Sequence, residues 1–383
     1  MWTRVIPGRH VFVGRMKANG HGGDVYAASR ELHRGLNRLI DFSASINPLG
    51  PSPAAWRAIT KSPHLLQHYP DPTCWALRNV LASRWRRPPD HIVVGNGSSE
   101  LIYALPQALD LHHLLVIGPT FSEYANAMTR CGGRVTMILA ERQQNYSPPL
   151  AEALRLLKGV GSNSPRRERI DGVILCNPNS PTGQGCEADA VMRVVSAAER
   201  HRLWMIVDET FAEFYESGSI LLRAAASRRV IVLRSLTKFY GLPGLRVGYA
   251  VTHDHVSRQL RRQLPPWSVN AVAQIAAVAA LQDDGHARNT LSFVTKERSR
   301  FTRLLAELPG CVVYPSVANF IFMELPVGCH AKKVAAMLRK DGLLIRDCSR
   351  ISGLHPRSIR VAVTSMQQND RLVKALSRVL MHQ

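Results

Sequence analysis

The chain has 383 residues, and its 45% hydrophobic and 20% charged residues are typical of folded globular proteins, which excludes a mainly disordered chain and suits about two domains. Lysine and arginine number 49 against 28 aspartates and glutamates, which gives a formal net charge of +21. Because the basic residues lie in short dispersed groups and form no zinc-finger, basic-zipper or RNA-binding motif, we expect no nucleic-acid partner.

The N-terminal end of the chain is a short basic leader before His21. It lacks the apolar core and cleavage site of a secretory signal, and no apolar run reaches the roughly 18 residues that a membrane-spanning helix needs. The seven cysteines are an odd number, with no CxxC pair and no metal-ligand spacing. We therefore expect a cytoplasmic protein with reduced cysteines, no bound metal and no membrane partner.

Residues 1–50 contain turn signals such as Asn47-Pro-Leu-Gly-Pro and no long periodic element. We expect this segment to pack against the C-terminal part of the chain and to border a cleft. The sequence as a whole shows no internal repeat and no low-complexity linker.

From about residue 90, short apolar runs alternate with helical stretches. The predicted strands are His91–Gly95, Leu114–Ile117, Gly172–Cys176, Leu203–Val207 and Val230–Leu233. The predicted helices are Phe121–Met128, Glu187–Arg202 and one with Leu101, Leu105 and Leu109 on one face, which Pro106 is expected to shorten or kink. This order predicts an α/β domain over residues 51–284, with a parallel or mixed sheet covered on both faces. Ligands of such sheets bind beyond the carboxyl ends of the strands.

After about residue 285 the order of elements changes. The predicted elements there are a helix Thr290–Leu308, strands Cys311–Tyr314 and Phe320–Met323, a helix Ala331–Asp341, strands Leu343–Arg346 and Ser358–Val363, and a helix Gln368–Met381. This α+β order predicts a second, smaller domain over residues 285–383.

The most specific stretch is RSLTKFYGLPGLRVG at positions 234–248, in which Lys238 follows a predicted strand. A lysine there can form an imine with an aldehyde cofactor if its surroundings lower its pKa. Ser235 and Arg246 could bind the phosphate of such a cofactor, arginine as a fork-shaped donor. A lysine after a strand is more often an ordinary surface residue, so this interpretation depends on further segments.

Two of these segments also follow predicted strands. Asp208 ends the run LWMIVD, where a carboxylate can pair with a pyridine nitrogen and keep it protonated, so that the ring accepts electrons. The alternative role of Asp208 is a helix cap. The turn GNGSSE lies between a strand and a helix, and the backbone amides of Gly97, Ser98 and Ser99 could form a phosphate cradle.

Two more segments complete the set. Phe121 in PTFSEY could stack on a pyridine ring, although core packing is an equally good explanation. The run NPNSPTG at positions 177–183 places Asn179 and Ser180 after another strand. In this order, the five segments resemble those of fold-type I pyridoxal-phosphate enzymes, which makes pyridoxal 5'-phosphate the predicted cofactor and Lys238 and Asp208 the predicted catalytic residues.

The chain also resembles a narrower family, the threonine-phosphate decarboxylases of cobalamin biosynthesis, which are related to histidinol-phosphate aminotransferases. The likeness runs from about His21 to the C-terminus, so Met16 is an alternative start. Its more specific segments are HGGD (21–24), DFSASINPLG (41–50), HYPDP (68–72), PWSVN (266–270), LIR (344–346) and IRV (359–361). The resemblance implies a fold-type I transferase fold. It also implies decarboxylation of L-threonine O-3-phosphate to (R)-1-amino-2-propanol O-2-phosphate and CO2.

The resemblance further implies residue roles. In the family, the N-terminal His-Gly segment and two C-terminal arginines contact the phosphorylated amino acid, which corresponds to His21, Gly22, Arg346 and Arg360. The tyrosine of the HYPDP segment reaches the cofactor phosphate of the other subunit in relatives, so Tyr69 implies a homodimer. The sequence leaves open which arginine binds carboxylate and which binds phosphate, and whether serine phosphate is also a substrate.

Three positions depart from the patterns of relatives. Ser180 stands where the last Asn of NPNNPTG normally contacts the cofactor's phenolic oxygen, and Ser45 stands where the family's SANINPLG has an Asn that contacts substrate. Phe211 occupies a position where aminotransferase relatives usually carry Tyr and decarboxylase relatives commonly carry Phe. The rival function is therefore an aminotransferase for histidinol phosphate or an aromatic amino acid. Phe211 and the HGGD and PWSVN segments favour the decarboxylase.

Overall fold

The computed structural model describes residues 11–12, 21–158, 169–224 and 227–381. Most of the basic leader and the alternative start Met16 lie outside the described residues. The strands in the described ranges are β1 (Val11–Phe12), β2 (Ile40–Asp41), β3 (Ile92–Gly95), β4 (His113–Gly118), β5 (Arg134–Leu139), β6 (Gly172–Cys176), β7 (Trp204–Asp208), β8 (Val230–Ser235), β9 (Gly248–Thr252), β10 (Val312–Val313), β11 (Phe320–Glu324), β12 (Leu343–Leu344), β13 (Arg346–Asp347) and β14 (Ser358–Ala362). The α-helices are α1 (Val25–Leu32), α2 (Pro53–Thr60), α3 (Trp75–Trp85), α4 (Gly97–Ala108), α5 (Glu123–Arg130), α6 (Leu150–Lys158), α7 (Ala188–Arg200), α8 (Leu221–Ala224), α9 (Asp254–Gln263), α10 (Ala271–Leu281), α11 (Asp284–Ala306), α12 (Ala331–Lys340) and α13 (Met366–Met381).

Within the described ranges, eight strands form one mixed sheet in the order β1-β5-β4-β6-β7-β8-β9-β3. Five central strands run parallel to one another, in the order β5-β4-β6-β7-β8. Strand β9 runs antiparallel to both β8 and β3, and β1 runs antiparallel to β5. The predicted α/β class with a mostly parallel mixed sheet is therefore confirmed.

The central strands of the large sheet are mainly apolar because helices cover both faces. In β6, Val173 and Leu175 belong to the core on one face, whereas Ile174 and Cys176 belong to the core on the other. Since successive side chains of a strand point to opposite faces, the side chains of residues 173–176 belong alternately to the two cores. The predicted strand Gly172–Cys176 is confirmed at both ends.

The functional segments gather because of strand direction. Five strands of the large sheet point the same way: β3, β4, β6, β7 and β8. Their carboxyl ends therefore meet at one edge of the sheet. The loops that leave this edge carry residues 96–99, 118–121, 177–181, 208–211 and 235–238. This edge is where ligands of such sheets bind.

A second sheet lies in the C-terminal part. In the described residues it is antiparallel, in the order β10-β11-β14-β13, and its core includes side chains of α11, α12 and α13. The N-terminal segment joins this part of the fold, because β2 pairs in parallel with β12 and the buried Phe42 enters the same core. We propose the division into residues 1–50, 51–284 and 285–383, which the separate cores support.

Several elements differ from the sequence-based expectations. The single predicted strand Leu343–Arg346 is two strands, because β12 pairs with β2 whereas β13 pairs with β14. Pro106 does not end α4 but lies in its last turn, where a proline interrupts little of the helix. Strands β5 and β9 were not predicted. None of the described helices combines the length and apolar character that crossing a membrane requires.

Candidate active site

A cavity of about 400 Å³ opens at the carboxyl edge of the large sheet, where the small sheet and the N-terminal segment also meet it. Its volume lies in the usual range for small-molecule sites. The predicted site residues that line it are His21, Gly22, Ser45, Ser98, Ser99, Phe121, Ser180, Asp208, Ser235, Lys238, Arg246, Arg346 and Arg360. Segments that are far apart in sequence therefore contribute to one site.

Lys238 lies just beyond the end of β8, in the wall of this cavity. Burial is the largest of several causes, and together with the positive charges of Arg360 and Arg246 it lowers the pKa of the ammonium group to about 8, although the carboxylates of Asp41 and Asp208 act in the opposite direction. A lysine with this pKa has a substantial fraction of neutral amine near neutral pH, which is the form that attacks a carbonyl.

Asp208 is the last residue of β7 and is 3% exposed. The hydroxyl of Tyr124 donates to its Oδ2 at 2.7 Å, and the backbone N–H of Thr210 donates to its Oδ1 at 2.9 Å. Burial raises the pKa of the Asp208 carboxyl, although these donors and the Lys238 charge partly offset the rise. A buried carboxylate of this kind gains from a cationic partner, and a protonated ring nitrogen would supply one.

The phosphate cradle predicted at GNGSSE is the N-terminus of α4. Gly97, Ser98 and Ser99 are the first three residues of this helix, whose amides have no partners within the helix. A Cβ on Gly97 would lie 2.6 Å from Nη2 of Arg246, and a Cβ on Gly248 would lie 2.4 Å from the Ser98 nitrogen. The close approach of these groups requires glycine at both positions, and it brings an arginine to the amides of a helix N-terminus.

Replacement of Gly97 by alanine is expected to weaken cofactor binding by about tenfold, which corresponds to about 1.4 kcal/mol. The added Cβ would displace the Arg246 guanidinium, and Gly97 has a φ of +76°, which alanine adopts at a cost. Gly244→Ala is the matched control, because a Cβ there meets nothing within 4 Å. Absorbance titration of the apoprotein with cofactor measures both affinities. Equal affinities for the two variants would contradict the role of this cradle.

Arg360 reaches the cavity from β14. Its Nη1 donates to Ser180 Oγ at 2.9 Å and its Nη2 donates to the Ser43 carbonyl at 2.8 Å, while the guanidinium lies 4.9 Å from the centre of the Phe320 ring. Burial lowers its pKa to about 10, so it remains a cation at neutral pH. Arg346 lines the same cavity.

Three predicted site residues lie outside the cavity lining. Gly97 packs against Arg246, and it is Arg246 that lines the cavity. Asn179 is predicted to bind the cofactor. Its Nδ2 donates to the Pro119 carbonyl and to Thr182 Oγ1, both at 2.8 Å, whereas its Oδ1 is buried and has no hydrogen-bond partner in the described chain. Tyr69 is 81% exposed and its ring lies 4.8 Å from that of Trp267.

Sequence reasoning missed several residues of the cavity. Glu123 and Tyr124 lie two and three residues after Phe121 in the PTFSEY segment. Only Phe121 is predicted as a site residue, because nothing local shows which side chains of a helix start face a cavity. Thr120 and Tyr103 were missed for the same reason.

Buried polar atoms of the cavity fit a polar ligand. Ser45 Oγ, Thr120 Oγ1 and Arg360 Nε are buried and have no hydrogen-bond partner within the described chain. Leaving a buried donor or acceptor unpaired costs free energy, and a bound ligand with phosphate, hydroxyl and carboxylate groups can satisfy them. Together with the α4 cradle, Asp208 and Lys238, these atoms fit a phosphorylated pyridine aldehyde.

A separate cluster of ligand-type side chains lies outside this cavity. His253, Asp254 and His255 each place one potential metal-ligating atom within 4.8 Å of the others, at the start of α9. It is the one such group of three or more in the part of the chain that the structure covers. None of the three lines the cavity around Lys238.

Comparison with known proteins gives consistent results. The family model described as aminotransferase class I and II matches residues 37–376. The threonine-phosphate decarboxylase of Salmonella typhimurium is 33% identical over 94% of this chain and 97% of its own length. A histidinol-phosphate aminotransferase of Roseiflexus castenholzii is 32% identical over 90% of this chain and 90% of its own. The solved structure of histidinol-phosphate aminotransferase from Sinorhizobium meliloti in complex with pyridoxal-5'-phosphate has a TM-score of 0.82 at 23% identity, covering 93% of this chain and 94% of that one. These likenesses confirm the predicted fold-type I transferase fold.

Proposed function

Since the chain belongs to the aminotransferase class I and II family and its cofactor is pyridoxal 5'-phosphate, we propose that it decarboxylates L-threonine O-3-phosphate. The products are (R)-1-amino-2-propanol O-2-phosphate and CO2, and the proposed role is to supply the linker of the cobalamin nucleotide loop. The threonine-phosphate decarboxylase of Salmonella typhimurium resembles this chain over 94% of the chain's length, which supports the proposal.

One observation of the structure carries the proposal: Arg346 and Arg360 line the same cavity as Lys238. A substrate with a carboxylate and a phosphate needs two anion receptors near the reacting centre, and arginine binds both groups as a planar fork. Which of the two anions each arginine binds is left to experiment.

The chain's own residues have separable tasks. Bound pyridoxal phosphate supplies a ring that accepts electrons from the substrate's Cα. The α4 amides and Arg246 bind the cofactor phosphate, and Asp208 holds a proton at the ring nitrogen. Lys238 would hold the cofactor covalently until the substrate amine takes its place there. Its freed amine, with a pKa of about 8, would then be suited to deliver a proton to Cα after CO2 has left. A bound water is the alternative donor.

Positioning decides which bond at Cα breaks. With the cofactor bound, the arginines would select decarboxylation by orienting the substrate carboxylate so that its bond to Cα is the one that breaks. Phe211 supports this outcome, because it is buried against Phe320 with ring centres 5.0 Å apart and offers no hydroxyl to the cavity. An apolar wall disfavours a charged carboxylate relative to neutral CO2.

The alternative function is an aminotransferase for histidinol phosphate or an aromatic amino acid. Histidinol-phosphate aminotransferases are similar to this chain at nearly the same identity as the decarboxylases, which keeps this candidate open. It would use the same cofactor, lysine and aspartate.

Incubation of the holoenzyme with threonine phosphate and no keto acid separates the two functions. The decarboxylase is expected to release CO2 and an amine whose mass is that of aminopropanol phosphate. A parallel reaction with serine phosphate tests whether the substrate must carry the methyl group of threonine to be decarboxylated. Turnover that requires 2-oxoglutarate and releases no CO2 would establish the aminotransferase instead.

We further propose a cytoplasmic homodimer in which Tyr69 reaches the site of the other subunit. The exposed aromatic pair formed by Tyr69 and Trp267 supports this, since large exposed apolar side chains mark interaction surfaces. The seven cysteines all lie in the described residues and are free, as is typical of a reducing compartment.

A further inference from the structure

Glu123 is, beside Asp208, an acidic side chain in the wall of a cavity that also contains one lysine and three arginines. Its Oε1 accepts from His21 Nε2 at 2.9 Å, from Asn126 Nδ2 at 2.8 Å and from Ser122 Oγ at 3.2 Å. Its Oε2 accepts from the hydroxyl of Tyr103. The carboxylate is 13% exposed, so these contacts replace most of its water.

Four donors keep this carboxylate ionised. Burial alone would raise the pKa of Glu123, but the hydrogen bond from Tyr103, the charge of His21 and the bonds from Asn126 and Ser122 hold that pKa below its usual value. Glu123 is also the first residue of α5, where the helix dipole favours a negative charge.

The pair joins two parts of the fold across the cavity. Glu123 belongs to the large sheet's layer of helices, whereas His21 belongs to the N-terminal segment. Within that segment Gly22 and Gly23 pack against Ser43, whose carbonyl accepts from Arg360 of the second sheet. Gly23 N–H donates to Ser43 Oγ at 2.8 Å, and a Cβ on Gly22 would lie 2.1 Å from the Ser43 carbonyl oxygen. The backbone of the segment is therefore held, but the His21 side chain is 51% exposed.

Two contacts restrain that imidazole. One is the bond to Glu123, and the other is the Phe121 ring, whose centre lies 5.5 Å from that of His21 at a tilt of 50°. A half-exposed imidazole without them would sample several rotamers, and ordering it on binding would cost affinity.

We propose that Glu123 is a positioning residue that fixes the His21 imidazole at the wall of the substrate cavity, where it contributes to binding of the phosphate group. The proposal rests on the proposed function, which makes a phosphorylated amino acid the substrate. Glu123 itself touches no substrate phosphate in this proposal, because two anions would repel each other; it acts through His21.

The test compares single and double variants of the holoenzyme on threonine phosphate. Glu123→Ala is expected to raise KM about tenfold, like His21→Ala, with kcat changed by less than about threefold. Because Glu123 acts through His21, the double variant is expected to have the KM of His21→Ala alone. Glu123→Gln, whose amide oxygen can still accept from Nε2, is expected to restore part of the affinity.

Asn126→Ala is the matched control, because Asn126 lies outside the cavity lining. It removes another donor to the same carboxylate but leaves the His21 contact, so its KM is expected to stay within about twofold of wild type. Binding of unphosphorylated threonine, followed by the change in cofactor absorbance, is expected to be equal in wild type and Glu123→Ala. A purely structural role of Glu123 would weaken both ligands together.

The outcomes separate this inference from the proposed function. The inference would be overturned if the effects of Glu123→Ala and His21→Ala on KM multiplied in the double variant. It would also be overturned if Glu123→Ala left KM unchanged. In both cases decarboxylation by the wild type would still stand. A wild-type enzyme that neither binds nor decarboxylates threonine phosphate would instead overturn the proposed function.

Discussion

Replacement of Lys238 by alanine is expected to lower CO2 release from threonine phosphate at least about a thousandfold, since positioned acid–base catalysis alone contributes about 10²- to 10⁴-fold. The variant loses the amine that we propose binds the cofactor covalently and delivers a proton to Cα. The α4 amides and Arg246 remain, so cofactor is still expected to bind through its phosphate. Steady-state rates and the absorbance spectrum of the variant measure the two effects.

Lys296→Ala is the control for this experiment, because Lys296 is exposed on α11. Borohydride reduction followed by peptide mass analysis is expected to label Lys238 in the wild type and no residue in Lys238→Ala. In wild-type apoprotein, the rate of cofactor capture is expected to rise with pH through about 8, because the neutral amine of Lys238 reacts and its pKa is about 8. Wild-type activity in Lys238→Ala would exclude the whole assignment.

Replacement of Asp208 by asparagine is expected to lower kcat by about 10²- to 10³-fold, the usual cost of removing one group that stabilises developing charge. Asparagine keeps the shape of the side chain but cannot hold a proton at the ring nitrogen as a carboxylate does. Burial raises the pKa of Asp208, so the ionised carboxyl destabilises the apoprotein at neutral pH. The thermal midpoint of the apo variant is therefore expected to equal or exceed that of wild type.

Tyr124→Phe separates the charge of Asp208 from its hydrogen bonding. It removes the 2.7 Å bond to Oδ2 but keeps the carboxylate, so a loss of less than about tenfold is expected, in line with one hydrogen bond. Rates and thermal midpoints of both variants are measured with saturating cofactor and without it. If Asp208→Asn retained kcat within tenfold of wild type, Asp208 would not be the partner of the ring nitrogen.

The strands that carry the chemistry could be predicted from local sequence. Strands β6, β7 and β8 are buried on both faces, so each is a continuous apolar run that ends at a polar residue or loop. Strand β5 was not recognised, because it begins with an exposed Arg134 and its burial is incomplete. Strand β9 begins at Gly248, the last residue of the motif around Lys238, and was not recognised as a strand. Its antiparallel direction depends on pairing with β8, which no local pattern encodes.

The chain's sequence by itself determined the reactive groups: an amine at Lys238, a carboxylate at Asp208 and glycine-rich turns after buried strands. Local patterns suffice for these, because strand, turn and helix start are set by neighbouring residues. Only the tertiary structure decided that Arg360 binds Ser180 and that Glu123 holds His21. These contacts join residues from separately packed parts of the chain, so they depend on how the two cores and the N-terminal segment fit together.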